Sequence, residues 1–179
     1  MSWRAAFRAQ ASSCRGLGSP FTAALLDGFA TYGLPGGPIA TRIESWPGEI
    51  SSHGASLPLR LAGALHGLVL EGKDPGLSAL YPPQEIPDQK TLWQGACAAI
   101  TRHETWIDQR LDWAPQTNEV ARASALILAA AWLGGRFGMP ICLSELGASA
   151  GLNLNFDRFH LNTPAGGIGP ADSPLNLTP

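Results

Sequence analysis

Apolar residues recur every three or four positions through most of the chain, which predicts a succession of helices. Trp3, Phe7 and Gln10-Ala11 share one side of a first helix from Ser2 to about Cys14, with Arg4, Arg8 and Arg15 on or near the other. Ser19-Pro20 opens the second, a hydroxyl cap followed by a proline whose missing N–H is not needed in the first turn. Phe21, Leu25 and Phe29 form its stripe, and Gly33-Leu34-Pro35 stops it. Residues 36–54 are rich in turn formers and predict a loop with at most one helical turn over 41–46. Pro58 opens a more apolar helix through Leu61, Leu65, Leu68 and Val69, ended by Gly72. Asp74-Pro75 repeats the cap-and-proline signal for a short helix to Leu80, which Tyr81-Pro82-Pro83 ends. The spacing of Trp93, Cys97, Ile100, Glu104, Ile107 and Leu111 predicts one long helix over 88–111, with all but Glu104 suited to a buried face. After Pro115 a second long helix is expected from about Thr117 to Trp132 or Leu133. It is apolar almost all round after Ser124, which predicts a place at the centre of the core.

The pattern then changes. Ile141-Cys142-Leu143-Ser144-Glu145-Leu146, bounded by Pro140 and Gly147, predicts a buried strand. Residues 147–151 form a tight turn of small residues, 152–160 read as helical, and 163–179 as coil. The expected fold is mainly α. A helical domain of about six helices over 1–135 is followed over 136–162 by the first strand, turn and helix of an incomplete α/β (Rossmann-like) domain, and then by the coil tail.

Composition narrows the function classes. Charged residues make up 15% of the chain and the formal net charge is −2, so nothing draws it towards nucleic acid or anionic lipid. The tryptophans form no stacking platform with basic neighbours, a second reason to expect no nucleic-acid partner. Cys14, Cys97 and Cys142 have neither metal-ligand nor disulfide spacing. They read as small buried hydrophobes in a reducing, cytoplasmic setting. The longest apolar stretch, 123–133, is too short to span a bilayer, so no membrane partner is expected. No metal site is expected either: His103-Glu104 starts like a zinc-protease helix, but position 107 is Ile, and His66, amid Leu65 and Leu68, reads as a core or edge histidine.

The segment that carries chemistry is Glu145-Leu-Gly147-Ala-Ser149-Ala-Gly151-Leu-Asn153. A strand that ends in small residues and feeds a helix leaves backbone N–H groups free at one spot that a ligand can approach closely. The order acid, Gly, x, small, x, Gly resembles the first motif of class I S-adenosylmethionine-dependent methyltransferases, with Ser149 in place of the middle glycine. In that family the loop cradles the amino acid part of the cofactor. The resemblance makes Glu145, Gly147, Ala148, Ser149, Gly151 and Asn153 the cofactor-binding candidates, with S-adenosylmethionine as the small-molecule partner. The family's ribose-binding acid at the end of a second strand has no counterpart, since Asp157 lies too close. Two other readings stay open. Gly147-x-Ser149-x-Gly151 also satisfies the nucleophile elbow of serine hydrolases, although the preceding residues read as helices and the only later histidine, His160, points to no relay. A plain packing turn is the third. Ahead of this segment, Gln116, Thr117, Asn118, Glu119 and Arg122 crowd polar groups at a helix start. Thr117 or Asn118 as cap and Glu119 on the dipole account for part of it. Gln116, Asn118, Glu119 and Arg122 remain candidates for the substrate side of a pocket.

Leu57-Pro58-Leu59-Arg60-Leu61 with His66, Tyr81-Pro82, Gln116-Thr117-Asn118-Glu119 and Gly147-Ala-Ser-Ala-Gly-Leu-Asn153 together resemble a bacterial family known as domain of unknown function 2332. The resemblance covers most of the chain and implies no established activity. Members of that family look longer, so the chain resembles their N-terminal part. Few residues follow Gly151, against roughly 30 for one strand–helix–strand unit. The expected strand therefore lacks a partner within the chain, and pairing with a second copy would supply one. The leading expectation is an S-adenosylmethionine-binding, methyltransferase-like protein with no catalytic residue assigned. The alternatives are a serine hydrolase acting through Ser149 or a non-enzymatic helical interaction module.

Overall fold

The computed structural model describes residues 2–115 and 119–178. The chain divides into two compact units, Met1–Pro115 and Gln116–Pro179. The first unit contains α1 (Trp3–Gly16), α2 (Pro20–Tyr32), α3 (Pro38–Glu44), α4 (Leu57–Leu70), α5 (Pro75–Ser78), α6 (Gln89–Arg102) and α7 (Glu104–Leu111). Ser2 caps α1 by accepting the Ala5 N–H at 3.3 Å, and Arg4 and Arg8 donate to the Ala30 carbonyl near the end of α2. α1 packs on α2, α2 on α6, and α4 on α7. Phe7 meets Phe29 edge to face at 6.2 Å, and Leu25, Leu26, Leu57, Leu61, Leu65, Leu68 and Leu92 are fully buried around them. Each such side chain contributes about 1.5–3 kcal/mol of transfer free energy, so the apolar stripes are the main source of this unit's stability.

Two elements depart from the sequence pattern. α3 is a helix of two turns where a loop was expected. Pro38 sits in its first turn, and Ile39 and Ile43, one turn apart, are both buried. That four-residue spacing was hidden among turn formers. The expected helix over 88–111 is two helices, broken at His103, whose φ of −118° and ψ of 31° leave the helical region. The stripe in α6 also turns by one residue. Leu92, Ala96 and Ala99 face the core beside Ile100, which is buried as expected, while Trp93 lies half-buried with its indole N–H donated to the Gly33 carbonyl at 2.8 Å.

Asp74 explains the break. It caps α5, accepting the Leu77 N–H at 2.9 Å, and is 3% exposed. Arg102 donates Nε and Nη2 to both of its carboxylate oxygens at 2.8–3.1 Å. His103 Nε2 lies 3.0 Å from the same carboxylate. Consecutive residues of a continuous helix diverge by about 100°, so Arg102 and His103 converge on one carboxylate only where the helix is interrupted. Desolvation pushes the Asp74 carboxyl up. The Leu77 amide, the Arg102 hydrogen bonds and charge, and His103 outweigh it and hold the pKa below the ordinary value of 3.8.

The second unit holds a 3₁₀ turn (Val120–Arg122), α8 (Ala123–Phe137), a 3₁₀ helix (Leu152–Arg158) and three short strands, β1 (His160–Thr163), β2 (Gly166–Ile168) and β3 (Asn176–Leu177). β1 is central: it pairs antiparallel with β2, Leu161 opposite Ile168, and parallel with β3, Leu161 opposite Leu177. Ala123, Ile127, Phe159, Leu161 and Leu177 make a small core. The overall class is mainly α, as expected, but four expectations for this half are corrected. Residues 141–146 enter no strand ladder among the described residues, and Ile141, Leu143 and Leu146 are exposed. Strand backbone is stable only when its N–H and C=O groups are paired, and no partner strand lies beside it. The segment expected as a helix after Gly151 is 3₁₀, kinked at Asn155. The tail expected as coil supplies β2 and β3. α8 lies at the centre of no core: only Ala123 and Ile127 are buried, and Leu128, Trp132 and Phe137 are exposed. Helical structure continues from Val120 to Phe137, 18 residues of mean hydropathy 1.2, which by length and composition suffices to cross a membrane. The division at Pro115 places α8 with the C-terminal residues.

Replacing Asp74 by Ala removes the cap of α5 and the partner of the Arg102 guanidinium and the His103 imidazole. It should lower unfolding free energy by about 1–3 kcal/mol in denaturant titration, the half-exposed Arg102 being partly screened by water. Because the folded-state pKa is depressed, the carboxylate's contribution is complete above the unfolded value near 3.8 and is lost as pH falls below it towards the folded value. The D74A variant should therefore show a smaller loss of stability across that acidic window than the parent.

Candidate functional site

The best-formed cavity among the described residues is a groove of about 560 Å³ in the first unit, between α2, α4 and the segment after α5. Its size is that of a small-molecule site. Phe21 and Leu25 come from α2, Leu59, Gly63 and His66 from α4, and Tyr81 from the turn after α5. On α4 the residues at 59, 63, 66 and 70 follow helical spacing and face the groove. Leu57, Leu61, Leu65 and Leu68 are buried in the core, so the helix is apolar on two sides. Gly63 leaves the wall low: a Cβ there would meet nothing within 4 Å.

Tyr81 organises the site. Asp74 fixes the start of α5, the Tyr81 N–H donates to the Ser78 carbonyl at 3.2 Å, and the ring is thereby laid against Phe21, centroids 4.4 Å apart and tilted by 55°. The exposed His66 imidazole stacks on the Tyr81 ring at 5.8 Å and 17°. The Tyr81 side chain is 5% exposed, and its hydroxyl is buried with no hydrogen-bond partner among the described residues. Burial pushes the phenol's pKa up, so it stays a protonated donor at any ordinary pH. A buried donor left unpaired costs about 1–3 kcal/mol. The other hydroxyls of the groove differ: Ser19 Oγ and Thr22 Oγ1 are bonded to each other at 2.9 Å. Among the described residues no Asp, Glu, Lys or Arg lines the groove, and His66 is its one imidazole.

The residues singled out from the glycine pattern lie in the second unit. Gly147, Ser149 and Gly151 all have left-handed backbone, with φ of 69°, 53° and 70°. For Ser149 that conformation is uncommon. The bend is tight, but it follows no strand and precedes no α-helix, and the Gly151 amide is already donated to the Ala148 carbonyl at 2.8 Å. Asn153 is buried, and Glu145 Oε2 is buried without a partner among the described residues. Glu119 accepts the Ala121 N–H at 3.2 Å, a capping contact, and the turn that holds Arg122 packs against the 3₁₀ helix that contains Asn153. Gln116, Thr117 and Asn118 lie outside the described residues. His160 is engaged elsewhere, its Nδ1 3.1 Å from the Pro170 carbonyl and 3.3 Å from that of Gly169.

Among the described residues no three His, Cys, Asp or Glu side chains group as a metal would require. Cys14 is buried and Cys97 half-buried, its thiol pushed up to about 11 by desolvation. Cys142 is exposed, contrary to the expectation of three buried thiols.

A bacterial family described as "Uncharacterized protein conserved in bacteria (DUF2332)" matches residues 4–179. The chain belongs to this family. No curated protein and no solved structure matches it. Of the segments that carry the resemblance, Leu59, His66, Tyr81 and Pro82 all line the groove. From the sequence alone His66 is a core or edge residue and Tyr81-Pro82 a helix stop. Their shared role was invisible because it depends on the α5 turn bringing position 81 to the face of α4.

With no partner to lose, the Tyr81 hydroxyl should be dispensable for folding. Y81F is expected to match or exceed the parent in unfolding free energy, against a loss of about 1 kcal/mol where a buried phenol is bonded. Equilibrium urea unfolding of the two proteins, with no ligand added, measures the difference.

Proposed function

We propose that the first unit is a small-molecule-binding domain whose ligand seats in the groove between α2 and α4. One observation carries this reading: an apolar cavity of about 560 Å³ lined by Tyr81, whose hydroxyl lies buried behind the ring without a partner among the described residues. A structural groove would tend to be filled by its own side chains, and a polar wall group would be paired. Titration with the uncharged dye N-phenyl-1-naphthylamine tests it. The dye is expected to brighten on binding, and G63F, which projects a ring into open space on α4, is expected to abolish that signal while leaving the fold intact. Equal brightening by G63F would place the dye elsewhere and remove the proposal.

A second reading has one observation in its favour. The resemblance of Glu145–Asn153 to the methyltransferase loop is joined by the buried, unpartnered Glu145 Oε2, an acceptor beside three left-handed residues. S-adenosylmethionine carries an ammonium and a sulfonium that such a carboxylate would favour. Isothermal titration calorimetry with S-adenosylmethionine should give saturable heat that E145Q weakens by roughly tenfold or more, the usual scale for a charged hydrogen bond. Absence of heat from the parent protein would end this reading and leave the groove untouched.

A further inference from the structure

We infer that the groove selects an uncharged aromatic molecule bearing a hydrogen-bond acceptor such as an aryl ketone, with the Tyr81 hydroxyl as the donor that recognises it. This rests on the small-molecule reading of the groove and specifies its ligand class. Three features of the wall fix that class. First, the lining includes no carboxylate, ammonium or guanidinium among the described residues, so a charged ligand would lose its hydration without gaining a counter-charge. Second, Phe21, Tyr81 and His66 form a continuous run of rings, at 4.4 and 5.8 Å between centroids, whose open end favours another planar ring in offset or edge contact. Third, the Tyr81 hydroxyl is a donor at ordinary pH, is shielded from water and has no acceptor among the described residues. Ser19 and Thr22, the neighbouring hydroxyls, already satisfy one another. An acceptor on the ligand, reaching the hydroxyl once the ring layer over it gives way, is the group this donor lacks. His66, exposed and held by ring stacking, is the layer that shifts as the ligand ring joins the run.

Binding of apolar molecules usually follows how poorly water solvates them, so a ketone should bind a plain apolar groove less tightly than the hydrocarbon of the same shape. A buried unpaired donor inverts that order, which makes a matched pair of probes decisive. Displacement of bound N-phenyl-1-naphthylamine by 1-tetralone and by tetralin compares the two. The parent is expected to bind 1-tetralone at least about tenfold more tightly. In Y81F, which keeps the ring and the groove, the preference should vanish or reverse. A parent that binds tetralin as tightly as the ketone, or a Y81F that keeps the ketone preference, overturns the assignment of Tyr81 and leaves the groove as a binding site. Failure of both probes to displace a dye that G63F excludes overturns the ligand class. A dye that G63F does not exclude overturns the groove itself. Retention of the parent's unfolding midpoint by Y81F shows that a lost preference is not a lost fold.

Discussion

One buried carboxylate sets the geometry of the first unit. Asp74 stands where α5 begins and where α6 gives way to α7, and it is bonded to both places. A carboxylate this deep is tolerated only with its oxygens fully used. Here an amide, a guanidinium and an imidazole use them. The demand is met by interrupting a helix whose apolar pattern would otherwise run unbroken, so a polar requirement overrides a periodic one. The consequence reaches the groove, since the residue that closes its wall lies seven positions beyond Asp74, on a turn whose entry that carboxylate holds. The geometry of the groove is thus inherited from an ionic contact that does not line it.

Much of the first unit could be read from the chain because its helices obey local rules. An aspartate cap, prolines in first turns and glycines after last turns placed α2, α4 and α5 within a few residues, and the apolar stripe placed α1. Ser19 marks the start of α2, but its hydroxyl is donated to Thr22 and caps no amide. What could not be read depends on distant partners. The break at His103 needs Asp74 from 29 positions earlier, and the rotation of the α6 stripe needs the Gly33 carbonyl, 60 positions away, to receive Trp93. α3 was missed for a different reason. Prolines and glycines dominate its surroundings, and two isoleucines are too short a stripe to outweigh them.

The second unit shows the opposite case, in which a motif was legible and its setting was not. The order of small residues at 147–151 does produce the tight bend it promised, down to left-handed backbone at three alternate positions. A cofactor loop also needs a paired strand to aim it and a helix of several turns behind it. Neither is present, and one of the amides is already donated within the bend. Strand character depends on a neighbour to a degree that helix character does not. Residues 141–146 therefore read as a strand from composition yet have no ladder to join, while His160–Thr163, with a weaker apolar pattern, becomes the centre of a sheet because β2 and β3 fall on either side of it.

The two candidate places also differ in what their unpaired groups ask for. At Glu145 the unpaired atom is an acceptor on an exposed segment, where a modest rearrangement could return it to water. At Tyr81 it is a donor held between two rings and nearly as deeply buried as Asp74 itself. Local motion relieves the first more easily than the second, because turning the phenol outward would break the stacking that fixes it. Folded proteins leave few buried polar groups unpaired, and those that persist are concentrated where another molecule is meant to complete them. The weight of the structure therefore falls on the groove, where the shape of the space and the unmet hydrogen bond indicate the same kind of ligand.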